Sequence, residues 1–424
     1  MTKKTKKTPW VVFAAIALGM IIGPLTGTTA GVFGISFYSM YDLFGTLFIK
    51  ALTLIVVPLV ASSIISGIAR MGSDKTFGRL GLKTFGFYVS TTFLAVLTGL
   101  LFVNMIKPGT DGLSEAMAKQ ALEYSTSNAH LAAGKVNTVV DIFHQIIPSN
   151  IVDAFGKSNM LGIIFFSILF GYALSKIDAH ATTLLSFWQG VFQAMIYVTH
   201  LVMKVLPFGV FCLVAKVFAT TGLESLKSLT LFFVTVVLAL GFFMFVVLPL
   251  VLKFIGRVSP LSHFRAMAPA LVTAFSTSSS SASLPVTLDC AEKRAGISNK
   301  ICSLVLPLGI SLNLAGSALY ECVAAMFVAQ VYGIEISIAT QFIVVSLALI
   351  TSMGVAGIPA GSLVAVIVIL KALGLPAEAI GLFIAVDRLL DMCRTTVNVF
   401  SDSCCAALVA RSEGEKILTK KKFS

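Results

Sequence analysis

Runs of apolar residues about as long as a bilayer is thick recur along this chain, and no other feature restricts its fold as much. They lie near residues 9–29, 41–69, 82–106, 187–218 and 228–255, with one more at 161–175 that extends backwards to about 139. In hydrocarbon every backbone N–H and C=O needs a partner, and a run of about 20 residues supplies its own as a helix. Apolar residues form 57% of the chain and charged ones 12%, against about 45–50% and 25% in soluble domains. The expected fold class is an all-α polytopic membrane protein. Lys3, Lys4, Lys6 and Lys7 lead into the first run, which has no small-residue cleavage site before its end, so a retained first helix is expected. Pro148 should break or bend the fourth span and Pro207 the fifth. Residues 107–138, with Pro108, Gly109, mixed charges and many Ser and Asn, read as one long extracellular loop.

A formal net charge of +12 is compatible with a nucleic-acid partner, but its distribution argues against one. Positive residues gather at the N-terminal lysines, at Arg70, Lys75, Arg79 and Lys83, at Lys253, Arg257 and Arg265, at Lys293, Arg294 and Lys300, and from Arg411 to Lys422. The alternate segments, around Glu224 and Lys227, Glu335, and Lys371 and Glu378, are poor in them. This positive-inside pattern predicts a multi-pass protein of the cell membrane with both termini cytoplasmic. Its partners are then membrane lipid and no nucleic acid; a basic surface for anionic partners is the competing reading. The seven cysteines are mostly embedded (Cys212, Cys302, Cys322, Cys393, Cys404, Cys405), with Cys290 near a cytoplasmic end. None has zinc spacing, and neighbours Cys404 and Cys405 point to different helix faces, so they read as packing residues without a disulfide or metal cluster.

After residue 258 the pattern changes. Residues 266–288 are apolar but interrupted by Ser276, Thr277, Ser278, Ser279, Ser280, Ser281 and Ser283, then Pro285. Residues 340–370 likewise have two apolar arms around Ser352, Gly354, Gly357, Pro359, Gly361 and Ser362. Each arm is too short to cross alone, so a helix that enters, turns and leaves by the same face is expected for both, set against protein or a water-filled cavity. The alternative is an ordinary span with a small-residue packing face. Each interrupted segment precedes a full span, about 297–331 and 376–412, and the two units enter from opposite sides. Such an inverted repeat points to a transport site at the membrane midplane.

The last span carries Asp391, Arg394, Thr395, Asn398 and Asp402 within a stripe roughly 100° wide on one helix face. A charge at bilayer depth costs about 2.5–3.5 kcal/mol on insertion scales, so these groups should face a cavity, a partner or a substrate. Asp391 suits an ammonium, and the planar fork of Arg394 suits a carboxylate. Thr395 and Asn398 add neutral hydrogen-bonding groups, and half-helix tips of serine and glycine offer backbone N–H groups to a second carboxylate. The ligand so described is an acidic amino acid. An internal Asp–Arg pair that only fixes helix packing is the competing reading. Asp402 suits a hard cation such as sodium. Asn313, Ser317 and Glu321, at i, i+4 and i+8, form a second polar face on the preceding span. A glutamate without a partner in lipid is a candidate proton carrier; alternatively it sits at the water interface near the helix end.

The stretch Ser278–Pro285, the stretch Asn313–Gly316, the tip Gly357-Ile358-Pro359 and the run from Asp391 to Asp402 resemble the glutamate/aspartate transporters. These are the dicarboxylate/amino acid:cation symporters, which include the excitatory amino acid transporters. The resemblance covers essentially the whole chain, fits a bacterial-type member, and is strongest over 266–412. It implies eight transmembrane helices with two re-entrant hairpins in a homotrimer, working as an elevator. Residues 1–255 would be six helices that mostly serve as scaffold, 256–412 the transport core, and 413–424 a cytoplasmic tail. Carried over by position, Asp391 would hold the substrate amine and Arg394 its side-chain carboxylate. Thr395, Asn398, Ser317, Ser278, Ser280 and Ile358 would complete the pocket. Sodium would lie at Gly309, Asn313, Asn398 and Asp402, and Glu321 matches a glutamate thought to carry a proton in mammalian members. No cofactor is implied beyond the coupling ion, H+ and/or Na+.

The chain departs from the family pattern where an N-M-D-G signature reads Asn313-Leu314-Ala315-Gly316. The missing acid would serve a buried sodium site with Tyr88, Thr91, Thr92 and Asn313, so that site is expected to be weak or absent. Leu314 and Val355 also replace common ligands at the position gated by the second hairpin. Fewer sodium ions per cycle, with proton coupling in their place, is the resulting expectation. Function is then acidic amino acid symport, with a C4-dicarboxylate or neutral amino acid symporter as alternatives. Two other classes are a channel and an intramembrane aspartyl protease using Asp391 and Asp402. The protease fits poorly, because residues eleven apart on one helix are about 16 Å apart along its axis.

Overall fold

Prolines and small polar residues set the limits of most helices in the computed structural model, which describes residues 8–32, 34–71, 75–110, 147–156, 160–221, 225–334, 336–353 and 361–418. The first helices are α1 (Thr8–Thr26), α2 (Phe37–Met71) and α3 (Lys75–Ile106). Between α1 and α2, Gly31–Val32 pairs antiparallel with Ile35–Ser36. Gly34, at φ 78°, takes the positive backbone angle that the tight turn needs. This small ladder is a correction to a purely α-helical reading. Next come α4 (Ile151–Gly156), α5 (Met160–Leu174), α6 (Asp178–Lys204) and α7 (Leu206–Thr221). The run 187–218, read as one span, is thus two helices. The chain breaks at Val205, and Pro207, which has no N–H to donate, sits in the first turn of α7 where none is required. The neighbourhood of Pro148 before residue 147 lies outside the described residues.

Helix α8 (Ser225–Phe242) passes through a π-helical turn at Phe243–Val247 into α9 (Leu248–Phe254). Then follow α10 (Pro260–Thr277), α11 (Ser280–Asp289), α12 (Asn299–Leu312), α13 (Ala315–Val331), α14 (Ile338–Ser352), α15 (Gly361–Ala372), a 3-10 turn at Ala377–Leu382, and α16 (Ile384–Ser412). Among the described residues, four helical stretches are long and apolar enough to cross a membrane: Phe37–Ala69, Arg79–Ile106, Lys227–Phe254 and Asn299–Val331. Helices α10 and α11 pack on one another, as do α14 and α15. The first pair is short-armed and turns back at its hydroxyl-rich point, Ser278, while residues 354–360, between the arms of the second, lie outside the described residues.

The span 297–331 is not continuous. Helix α12 ends at Leu312, Asn313 and Leu314 leave helical geometry (φ −126°, ψ 60° and φ −88°, ψ 56°), and α13 restarts at Ala315. An unwound stretch inside a buried helix frees backbone groups that other parts of the protein must satisfy. Asn398 of α16 does so, accepting from the N–H of Gly316 at 2.8 Å and of Ser317 at 3.3 Å. Consequently the expected polar face of Asn313, Ser317 and Glu321 does not exist as one helical stripe. Each of the three meets a different partner.

All of α13 except Gln330 is buried, as a helix apolar on every side should be. It packs against α3, α14, α15 and α16, and α3 also packs on α8 and α16. A second group forms from α1, α2, α5, α6 and α7. Helix α3, although early in the chain, therefore packs with the later elements. Polar contacts fasten both its ends to them: Gln330 accepts from the Gly109 N–H at 3.0 Å and Asn104 donates to Gln341 at 2.9 Å. At the other end Arg79 pairs with Glu413 at 3.0 Å, and Lys83 pairs with it as well. Glu415 accepts from the Ser298 N–H at 3.1 Å, while Arg411 donates to the Gly256 carbonyl at 3.1 Å. The last turn of α16 and the segment after it thus clasp the ends of α3, α9 and α12 together. Hydrogen bonds from Lys83 and Arg79 hold the Glu413 carboxyl below its usual range. Its contribution, small at so exposed a site, is present above the unfolded value and is lost as pH falls through the folded one.

Candidate functional site

Side chains on a helix lean toward its N-terminus, and on α16 this carries Arg394 back over two turns of carboxylates. Its guanidinium donates to Asp387 at 2.9 Å and to Asp391 at 3.1 Å, and lies 3.8 Å from the centre of the Tyr320 ring. Arg394 is fully buried, and its Nε has no partner among the described residues. A desolvated guanidinium over an aromatic face gains about 2 kcal/mol or more. Tyr320 is fixed by a cluster with Phe232 and Phe383, rings 6.1 and 6.2 Å away. The second oxygen of Asp391 faces Arg388, 3.6 Å from its Nη1. The result is a quartet with no net formal charge, in which Asp387, Asp391 and Arg394 are buried and Arg388 is partly exposed. Its Arg394 end can exchange a protein carboxylate for a ligand carboxylate of the same geometry.

Thr395, next to Arg394, is buried, and one turn further along α16 Asn398 bridges to the start of α13. Besides accepting from Gly316 and Ser317, Asn398 donates to the Ser317 hydroxyl at 3.1 Å. A Cβ on Gly316 would lie 2.9 Å from the Arg394 carbonyl and 3.2 Å from the Asn398 oxygen, so only glycine permits this approach. Here α13 presents its N-terminus, with its partial positive charge, to the same face of α16 that carries Asp391 and Arg394.

Asp402 is 2% exposed and accepts from the Asn313 amide nitrogen at 2.8 Å. Asn313 in turn receives Thr92 at 3.1 Å and Thr91 at 3.3 Å on its oxygen, and its nitrogen also reaches Ser401 at 3.2 Å. The α-carbon of Gly309 lies so close to the Asp402 carboxylate that an added Cβ would overlap it. A cation beside Asp402 needs oxygen ligands, and rotating the Asn313 carboxamide by half a turn would present one. Thr91 and Thr92 could accept from the rotated NH2, because a hydroxyl both donates and accepts. Gly309, Asn313 and Asp402 therefore fit a small hard cation after one side-chain rotation. Asn398, by contrast, commits its oxygen to the start of α13. Tyr88 donates to the carbonyl of Val305, and the fully buried Ala315 supplies no carboxylate to the cluster of Tyr88, Thr91, Thr92 and Asn313.

Glu321 is completely buried in α13, which removes the alternative of a water-interface glutamate. One carboxyl oxygen accepts from Thr351 of α14 at 2.9 Å, and the other has no partner among the described residues. Ser278 holds a left-handed backbone (φ 50°) between α10 and α11, uncommon for a residue with a side chain, and its buried hydroxyl has no partner among the described residues. Ser279 caps α11 by accepting from the Ala282 N–H at 3.3 Å, which puts buried Ser280 in the first turn of that helix. Helix α11 packs against α16. Among the described residues Ser278 and Ser280 make no hydrogen bond to the α16 stripe, so the first hairpin reaches it by the packing of α11 on α16. Ile358 lies outside the described residues, as does Val355.

Sequence reasoning missed Asp387, Arg388, Tyr320 and Thr351. The first two had a signal: Asp387 continues the stripe by i, i+4 and i+7 to Asp391 and Arg394, and Arg388 stands at i, i+3 from Asp391. Tyr320 and Thr351 had none, since their importance arises from contact between helices. A further buried pair, His263 to Ser403 at 3.0 Å, links α10 to α16 away from the quartet.

Comparison with known proteins places this geometry in context. Residues 9–412 match the model of the sodium:dicarboxylate symporter family. A proton/sodium-glutamate symport protein of Geobacillus stearothermophilus is 35% identical over 407 residues, 96% of this chain and 94% of that protein. A proton/glutamate-aspartate symporter of Escherichia coli is 34% identical over 405 residues, 95% of this chain and 92% of that one. Human excitatory amino acid transporter 3 is 31% identical over 464 residues, 96% of this chain and 86% of its own length.

Proposed function

The chain belongs to the sodium:dicarboxylate symporter family, and from that premise we propose that it imports L-glutamate or L-aspartate, coupled to protons with at most a reduced set of sodium ions. It is a cation-coupled symporter and a multi-pass membrane protein, not an enzyme. One observation carries the substrate reading: a fully buried Arg394 shared between Asp387 and Asp391 beside the N-terminus of α13. The substrate amine takes up Asp391, its side-chain carboxylate takes up Arg394, and its α-carboxylate meets Asn398, Thr395, Ser317 and the hairpin serines Ser278 and Ser280. Ile358 of the second hairpin closes over it. Named relatives transport glutamate and aspartate, which supports the same class.

The coupling cation sits at Asp402 with Gly309 and Asn313, and the proton travels on Glu321. The moving body comprises α10 to α16 with α3 and α8, which pack on them; α1, α2 and α5 to α7 form the static frame of a homotrimer. Both termini face the cytoplasm of the cell membrane. Uptake of labelled L-glutamate, L-aspartate, L-glutamine and succinate by the purified protein in liposomes tests the reading. Concentrative uptake confined to the first two is the expected result, while accumulation of succinate or glutamine with no response to glutamate would overturn it.

Glu321 makes a separate prediction. Replacing Glu321 with Gln keeps the shape and an acceptor for the Thr351 hydroxyl but removes the exchangeable proton. Uptake by E321Q should lose its dependence on external pH, measured as initial rate against pH. An unchanged profile would take the proton role away from Glu321.

A further inference from the structure

The reading above uses Asp391 and Arg394 but leaves Arg388 without a task. Arg388 stands one turn before Asp391 on α16, its Nη1 is 3.6 Å from the Asp391 Oδ2, and its side chain is 16% exposed. Its Nε is buried without a partner among the described residues. An arginine kept only to fix packing would be expected to have its buried donors satisfied, since an unmet donor is a net loss to folding. The two oxygens of Asp391 are divided: Oδ1 faces Arg394 and Oδ2 faces Arg388. Two carboxylates and two guanidinium groups then sum to zero. When a carboxylate ligand draws Arg394 away, Arg388 is the cation that remains beside Asp391.

We infer that Arg388 is a specificity-determining positioning residue, which makes the binding site electrically neutral so that it accepts an amino acid of net charge −1. The inference rests on the proposed acidic substrate. Without Arg388 the buried cluster holds one uncompensated negative charge before the ligand arrives. An anionic ligand then enters against repulsion in a medium where charges several ångströms apart interact strongly. Arg388 also keeps Asp391 turned with one oxygen outward from Arg394, leaving Oδ1 to be handed from the guanidinium to the substrate amine. It touches no substrate atom itself. Positive charge is what this role requires, so lysine should serve and glutamine should not.

The test compares wild type, R388Q and R388K, each purified full length and reconstituted in liposomes, by KM and Vmax for L-aspartate uptake. R388Q should raise KM roughly tenfold or more with Vmax within about twofold, and R388K should bring KM back to within about threefold of wild type. An R388Q protein with wild-type KM, one that loses Vmax alone, or an R388K protein as impaired as R388Q would each overturn the inference. Should R388Q not assemble, R388K decides: a KM more than about threefold above wild type overturns the role. If wild type itself accumulates no acidic amino acid, the functional reading fails, which is a different outcome from a variant that matches a working wild type.

Discussion

Replacing Arg394 with Cys is expected to lower L-glutamate and L-aspartate uptake by two to three orders of magnitude and to admit neutral amino acids in their place. Arg394 is fully buried and bonded to two carboxylates. Removing one partner of a buried ion pair costs about 3–5 kcal/mol, because the remaining charge is left desolvated. Expressed as affinity for the carboxylate ligand, that corresponds to the expected loss. The variant retains Asp391 for the amine and Asn398 with the start of α13 for the α-carboxylate. An amino acid with a small uncharged side chain therefore keeps its anchors, and the vacated volume beside Tyr320 accepts it. Competition of labelled serine and labelled aspartate in the same liposomes reads both halves of the prediction. Retained selectivity for aspartate would mean that Arg394 is an internal structural pair and that another cation receives the substrate.

Replacing Asp402 with Asn should abolish concentrative uptake while leaving the protein folded. Among the described residues Asp402 is the one acid bonded within the cluster of Asn313, Thr91 and Thr92, and Ala315 adds none. A buried cation without a compensating charge is severely unfavourable, so the carboxamide should weaken the cation site by about a hundredfold or more. Asparagine preserves volume and can still accept from Asn313, which spares the packing against Gly309. The expected signature is a protein that exchanges substrate across the membrane but cannot build a gradient of it. Accumulation at the wild-type ratio would remove Asp402 from the coupling mechanism.

Much of this was legible because bilayer depth makes charge and helix-breaking residues costly wherever they have no use. The stripe from Asp391 to Asp402 stands on one face of an unbroken α16, and the serine run does interrupt its helix, at Ser278. The break at Asn313 and Leu314 was not legible. Asn313, Ser317 and Glu321 are spaced as a continuous helix would space them, and the group that satisfies the backbone after the break, Asn398 on Gly316 and Ser317, lies far along the chain. Helix α3 likewise gives no local sign that it packs with α13 and α16, since a lipid-soluble helix can pack with either group. Its attachment depends on Gln330, Gln341 and Glu413, far along the sequence. Asp387 and Arg388 could have been found by extending the stripe one turn toward the N-terminus.

Initial and steady-state uptake of labelled L-glutamate in liposomes, with proton and sodium gradients imposed separately, tests the central claim most directly. An inward proton gradient at equal sodium on both sides should drive accumulation above equilibrium. Accumulation that follows the sodium gradient alone, and is indifferent to the proton gradient, would contradict the account.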